Sequence, residues 1–344
     1  MSNQMNSRER VLCAMNLEIP DRVPWIESEL DEQAVFPLMG KGSGKPLVED
    51  GFDIKSVDEE KEIARFLGKD NLSYNIFAPM FCDKITGKDG RVFYGKGHIQ
   101  SEEDLEKLVL PDPTEDSFYQ EAETFVKGKE DFAACVVSRL GIGSAMYSLG
   151  MEDFFLKVYE NPKLVIEVLK RYTEWSRVVL KRLCDIGFDF LWICDDIAFK
   201  TGPMFSPKMY REMFLPHLKR AAEVISIPWL HHSDGNLLPL MEDWLSLGES
   251  AINPIDPNAM DINGVKERYG HRVCIVGNIN VDTLAAGTPE EVEAEVKLRI
   301  RDLAPGGGYI LASGNSIPSY VKPKNLLAMS LALKRYGRYP ISIK

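Results

Sequence analysis

The sequence has no apolar run near the roughly 18 residues that would span a bilayer as a helix, so no membrane-spanning segment is expected. It is also short of positive charge. Its 41 Lys and Arg stand against 52 Asp and Glu, a formal net charge of −11. Such a surface repels phosphate backbones and anionic lipid, and neither nucleic acid nor membrane is an expected partner. The six cysteines, Cys13, Cys82, Cys135, Cys184, Cys194 and Cys274, include no C-x-x-C pair. They read as reduced thiols of a cytoplasmic protein, with Cys135, Cys194 and Cys274 packing inside apolar runs. The first residues are polar, so no secretory leader is expected. G-x-S-x-G, G-x-x-x-x-G-K-[ST] and G-x-G-x-x-G are all missing. That removes the usual signatures of serine hydrolases, P-loop nucleotide enzymes and dinucleotide enzymes. There is no internal repeat and no low-complexity tract.

What is present is a chain of 344 residues, 44% hydrophobic, enough for a large core. It is organised around residues 187–236. There the apolar run Phe188–Cys194 ends in Asp195 and Asp196. Ser206 and Pro207 open a helix as N-cap and first-turn residue. A second apolar run, Ile227–Leu230, ends in His231, His232, Ser233 and Asp234. Short all-apolar runs of this kind suit strands buried on both faces of a parallel sheet.

The same rhythm extends along the chain. A helix is expected over 7–17, a strand over Arg22–Glu27, a charged helix over Asp58–Phe66 and a strand over Leu72–Phe77. A hairpin is expected over 83–100, turned at Lys88, Asp89 and Gly90, followed by an acidic irregular stretch to 131. Then come a strand at Ala134–Ser138, a helix at Met151–Tyr159, and a long helix from Pro162 to a C-cap at Gly187. Further strands are expected at Ala251–Asn253, Arg272–Val276 and Tyr309–Ala312. Thr288 and Glu291 form a capping box for a helix to Leu303, and a last helix covers Pro323–Tyr336. About eight strands alternating with helices is the count of an α/β fold of (β/α)8 TIM type. The expectation is one domain over 1–344 with an N-terminal extension, in which 83–131 is a hairpin and irregular excursion. A doubly wound open sheet is the alternative.

In such barrels, ligands bind beyond the carboxyl ends of the strands. The polar residues at strand ends would therefore share one mouth: Glu27, Glu29, Arg139, Asp195, Asp196, His232, Asp234, Asn253, Asn278, Asn280 and Asn315. His231 reads as a structural histidine, whereas His232 has Asp234 two residues on. His232 and Asp234 with a further carboxylate such as Glu27 or Asp196 could ligate a divalent metal. The same groups could work without metal, His232 as general acid and Asp234 or Asp196 setting its tautomer. Trp25, Tyr147, Trp192, Phe199, Met204 and Phe205 are candidates for the wall of a pocket or for core.

Several stretches resemble the uroporphyrinogen decarboxylase superfamily in order along nearly the whole chain. They are RERVLCAMNLEIPDRVPW, DDIAFKTGPMFSPKMYRE, HSDGNLLPL, NPIDPNAMD, VGNINVDTLAAGTPEEV and APGGGYILASGNSIP. The resemblance implies a TIM-type barrel and one of two activities, porphyrinogen decarboxylation or corrinoid-dependent methyl transfer. The decarboxylase's arginine-rich R-Q-A-G-R segment is replaced here by Glu27-Ser28-Glu29-Leu30-Asp31-Glu32. Four acids facing a polycarboxylate would repel it. The decarboxylase's G-H-G reads Gly314-Asn315-Ser316, without the histidine, and Tyr147 falls near its active-site tyrosine. In the thiol-methylating branch the zinc motif is His-x-Cys with a later Cys. Here His232-Ser233-Asp234 and Asn315 stand at those places.

The resemblance therefore implies an O- or N-demethylating methyltransferase acting on a small methylated, methoxyaromatic substrate. The methyl group would go to the Co(I) corrinoid carried by a partner protein. Zinc is a candidate metal, with His232, Asp234 and Glu27 as candidate ligands, and a homodimer is left open. His232, Asp234 and Asp196 are the expected catalytic residues. Glu27, Tyr147, Asp195, Phe199, Asn278 and Asn315 are the expected substrate contacts. The competing readings are a uroporphyrinogen decarboxylase or other small-molecule lyase, and a barrel that binds a ligand without turnover.

Overall fold

A computed structural model describes residues 4–42, 55–88 and 92–343. Its strands, in chain order, are β1 (Asn71–Asn75), β2 (Cys82–Thr86), β3 (Val92–Gly97), β4 (Ala133–Ser138), β5 (Phe190–Cys194), β6 (Ala198–Phe199), β7 (Gly202–Pro203), β8 (Trp229–His232), β9 (Ala251–Asn253), β10 (Cys274–Ile279) and β11 (Tyr309–Ser313). Seven of them form one parallel sheet in the order β1-β4-β5-β8-β9-β10-β11. Each sheet strand is thus followed in sequence by its neighbour in space, with helices on the crossovers. The sequence β5 and β8 pair in parallel, Leu191 beside Trp229 and Cys194 beside His232.

The segment before β1 closes the curl. Ile26 N–H donates to the Leu311 carbonyl at 3.0 Å and Leu311 N–H to the Pro24 carbonyl at 2.9 Å, while Asp70 N–H donates to the Trp25 carbonyl at 2.7 Å. It lies between β11 and the start of β1 and completes a (β/α)8 TIM-type barrel. The expected strand over Arg22–Glu27 is only a pair of isolated bridges, Arg22 with Arg338 and Trp25 with Leu311. Pro24 has no N–H to extend the ladder.

Alternation along the strands sorts side chains into two cores. Ile26, Val137, Phe190, Trp192, Leu230, Val276, Ile310 and Ala312 fill the barrel interior. Trp25, Val136, Leu191, Ile193, Trp229, Ile252 and Leu311 face the helices. The helix Ser7–Met15 adds Val11, Ala14 and Met15 to the interior core. It plugs the end where the strands begin. Arg8 pairs with Asp189 at 2.6 Å, Arg10 with Asp70 at 2.7 Å, and Arg22 with Asp70 at 2.8 Å. The opposite end, where the strands stop, stays open.

The expected helices near 58–66, 151–159, 162–187, 288–303 and 323–336 are present at Val57–Leu67, Met151–Glu160, Pro162–Ile186, Pro289–Leu303 and Pro323–Tyr336. Ser206 caps its helix by accepting Met209 N–H at 3.2 Å. β2 and β3 form the expected antiparallel hairpin, but Asp89 and Gly90 of its expected turn lie outside the described residues. The excursion after it is not irregular throughout, since Gln120–Lys127 is a helix that buries Ala122 and Phe125. One helix has no local signal. Ile142–Leu149 starts at Gly141, which offers no side-chain cap.

Candidate active site at the barrel mouth

The open end gathers three of the expected residues. Leu230 points into the interior, so His232 does too, at the last rung of β8. Asp196 continues the inward face of β5 past Cys194. Asp234 follows on the loop beyond His232. Nε2 of His232 lies 3.8 Å from Asp196 Oδ1 and 3.9 Å from Asp234 Oδ1. One ligand atom from each of the three lies within 4.8 Å of the others.

The cluster is held from behind. Asn253, on the inward face of neighbouring β9, donates its amide to the Val276 carbonyl at 3.0 Å. That turns its Oδ1 towards His232 Nδ1, 2.7 Å away. Nδ1 must therefore carry the proton of that bond, and Nε2 is the nitrogen presented to the two carboxylates. Asp196 Oδ1 accepts Asp234 N–H at 2.9 Å, and Asn315 donates to Asp234 Oδ2 at 2.8 Å. Burial raises the Asp234 carboxyl above the usual range, and Asp196 and Asp256 push it further while His232 opposes them. Gly235 lets the loop turn with φ of +88°. A Cβ there would come within 2.6 Å of the Phe199 carbonyl.

A cleft of about 390 Å³ opens beside this cluster, lined among others by Phe199, Asp234, Asp256, Asn280 and Asn315. Phe199 stands half-exposed on its wall at the β6–β7 turn. Tyr147 is packed on Tyr94 with ring centres 4.8 Å apart. Its hydroxyl lies in electrostatic range of both Arg139 and Asp196, and burial pushes its pKa up.

Other expected site residues are placed differently. Ile26 takes the interior position, so Glu27 points outward into the wall, where it is 1% exposed. Its Oε1 accepts Trp25 Nε1–H at 2.7 Å and Ser313 N–H at 2.9 Å. Glu27 is neither at the substrate cleft nor among the grouped metal ligands. It braces the end of β11, whose Ser313 and Asn315 lead to Asp234. Asp195 also falls on the outward face. Its carboxylate accepts the N–H groups of Leu140, Gly141 and Gly143 at 2.7, 3.4 and 2.7 Å. It is the distant cap of the helix Ile142–Leu149, not a substrate contact, and burial raises it to about 6. Asn278 is wholly buried in β10. It donates to the Ile255 carbonyl at 2.9 Å, and its Oδ1 has no partner among the described residues. Asp31 and Glu32 are also buried, whereas Glu29 is partly exposed and lines a second cavity of about 430 Å³ with Asp31, Asp282 and Asn315, so the four acids do not form one row at the mouth. Trp25, Trp192 and Phe205 are core. Asn253, which orients His232, stood in the sequence only as one of several polar strand ends. Its pairing with His232 depends on the β8–β9 register.

Ser313 Oγ donates to Glu27 Oε2 at 2.5 Å, yet burial outweighs this bond and raises the Glu27 pKa to about 7. The folded value lies above the ordinary 4.5. This contribution is therefore complete below pH 4.5 and is lost as pH rises through about 7. Glu249, whose carboxyl burial raises to about 8, acts in the same direction. Glu27→Gln should flatten the decline in unfolding free energy between pH 5 and 8 by an amount on the order of 2 kcal/mol. An unchanged decline in melting curves across that range would show Glu27 to be ionised.

Comparison with known proteins agrees with this architecture. Residues 84–336 match the family model described as Uroporphyrinogen decarboxylase (URO-D). The chain belongs to the uroporphyrinogen decarboxylase family. It is 24% identical over 237 residues to the Uroporphyrinogen decarboxylase of Shewanella pealeana, and this match spans 64% of each protein. It is 25% identical over 276 residues to that of Neisseria meningitidis, covering 72% of the chain and 75% of the relative. Among solved structures, a methyltransferase from Methanosarcina mazei shares the fold with a TM-score of 0.75 at 18% identity, over 96% of this chain and 99% of that one. A B12-independent methionine synthase from Shewanella sp. W3-18-1 aligns with a TM-score of 0.55 at 13% identity, over 91% and 98%.

Proposed function

We propose that this protein demethylates a small methylated compound, a methoxyaromatic by preference, and hands the methyl group to the corrinoid of a separate partner protein. The observation that carries the proposal is the convergence of His232 Nε2, Asp196 and Asp234 at the open end of the barrel. The partner's corrinoid would supply the Co(I) nucleophile. Breaking a bond from methyl to oxygen leaves negative charge on that oxygen, so the demethylating protein must neutralise it. A proton passed through His232 Nε2 would do this, with Asn253 fixing the ring and Asp196 and Asp234 flanking it. Phe199, on the cleft wall, would lie against the ring of the substrate, with Tyr147 behind it as a further candidate contact.

The same three residues fit a divalent metal ion. One imidazole nitrogen faces two carboxylates, and the second nitrogen is hydrogen-bonded to an amide oxygen, the outer support typical of metal-binding histidines. The chemistry an ion supplies there is Lewis acidity towards the leaving oxygen. With no thiolate in the group, the donors suit zinc less selectively than a Cys-rich site and also suit harder ions. Metal analysis and calorimetric titration with Zn²⁺, Co²⁺ and Mn²⁺ test this. Binding of one ion per chain is expected, weakened about 10- to 100-fold by Asn253→Leu, which removes the outer support. Equal affinity in that variant would remove Asn253 from the site. The function itself is tested by cobalt methylation in a corrinoid protein across a panel of methoxyaromatics. No methylation with any donor would overturn it.

The named relatives favour a second reading, porphyrinogen decarboxylation. Against it stands the shortage of cations for a polycarboxylate. The arginine-rich segment after the first strand is missing, and among the described residues the mouth offers Arg139, which continues an inward strand face, and Lys200 on the cleft wall. Formation of coproporphyrinogen from uroporphyrinogen would restore this reading.

A further inference from the structure

Arg139 is a charged group that the chemistry above does not use. In β4, Ala133, Cys135 and Val137 point into the barrel interior, and Arg139 continues that alternation beyond the strand's end. Its guanidinium rests 4.7 Å from the centre of the Phe77 ring. Among the described residues its only side-chain hydrogen-bonding contact is a weak one, Nη1 to Met80 Sδ at 3.5 Å. Among the described residues no carboxylate forms an ion pair with it. Asp195 is in electrostatic range, but its oxygens are occupied by three backbone N–H groups. In a chain of net charge −11, a half-buried guanidinium that makes no ion pair among the described residues has donors to offer an external anion.

The space beside it matches that anion. A cavity of about 220 Å³ is bounded by Phe77, Met80, Lys84, Tyr94, Pro111 and Arg139. That is roughly the share of seven liquid waters, room for one substituted ring. Two aromatic faces border it, and Tyr147, packed on Tyr94, is in electrostatic range of both Arg139 and Asp196. A guanidinium already seated on an aromatic ring presents a fixed fork that suits a planar carboxylate. Lys84, which also borders the cavity, is engaged by a partner of its own, and the carboxylates around the mouth disfavour a second anionic group.

We propose that Arg139 anchors a subsite for the carboxylate of a monoanionic aromatic substrate, the ring lying against Phe77 and Tyr94 and the methyl-bearing end directed to the Asp196–His232–Asp234 cluster. The direction of the methyl group rests on the proposed methyl transfer, whereas the anion subsite can be tested without turnover. Calorimetric titration of the full chain with 4-methoxybenzoate and its neutral counterpart 4-methoxybenzamide is the experiment. Wild type should bind the carboxylate about 10- to 100-fold more tightly, the range of a charge-assisted hydrogen bond. Arg139→Gln should abolish that preference while leaving amide binding unchanged, and Arg139→Lys should restore part of it. Equal binding of the two probes by wild type, a preference that survives Arg139→Gln, or no binding of the benzoate at millimolar concentration each overturns the subsite. A clear preference without cobalt methylation from 4-methoxybenzoate supports the subsite and counts only against methyl transfer. A merely structural Arg139 would lower the thermal midpoint of the Gln variant without altering the ratio between the probes, which also overturns it.

Discussion

His232→Ala should lower methyl transfer about 10²-fold or more, the scale of losing a general acid, and should abolish tight metal binding at the barrel mouth. Nε2 is the atom shared by both uses, and it lies within 4 Å of Asp196 and Asp234. The same substitution removes the hydrogen bond to Asn253, a buried interaction whose loss costs about 1–3 kcal/mol of stability. The two effects are separable. Transfer rate per folded molecule reports the chemistry, and the thermal midpoint reports the hydrogen bond. Asp234→Asn sharpens the separation, because an amide can keep a contact with Asn315 while removing the charge. That variant should stay as stable as wild type and bind metal more weakly. Full specific activity in folded His232→Ala protein would end the assignment of His232.

Asp195→Ala and Asp196→Ala should have opposite consequences although the residues are adjacent. Asp195 is buried and takes three backbone N–H groups at the start of the helix Ile142–Leu149. Removing it leaves those donors without acceptors, at a cost of about 3 kcal/mol or more. Tyr147 sits on the same helix, so loss of activity should follow loss of structure. Asp196 has a side chain 48% exposed. Its removal should change stability by less than about 1 kcal/mol, while weakening metal binding and transfer in the folded protein. Denaturant unfolding paired with metal titration on both variants checks this. A stable Asp195→Ala protein would mean that the helix start has another cap.

The difference between these neighbours marks how far the residues could be read without coordinates. Alternation is legible in β5, where Phe190, Trp192 and Cys194 form one face and Leu191 and Ile193 the other. Which face looks inward is decided by the closed sheet. Glu27 shows the same limit, since it ends its segment beside the mouth but one position out of phase, with Ile26 inside. The helix Ile142–Leu149 lacked a local start because its cap comes from Asp195, more than fifty residues later in sequence.

The sequence by itself determined the α/β class, the barrel count and the positions of most helices, because caps, prolines and apolar periodicity act over a few residues. It also determined the family, and His232, Asp234 and Asp196 as the polar ends of β5 and β8. Only the tertiary structure decided that these three converge while Glu27 and Asp195 turn away into the wall. It likewise decided that Asn253 orients the imidazole and that Arg139 lies without a carboxylate partner. Those outcomes depend on strand register and barrel closure, which set a side chain's face and its partner across the sheet by contacts between residues far apart in sequence.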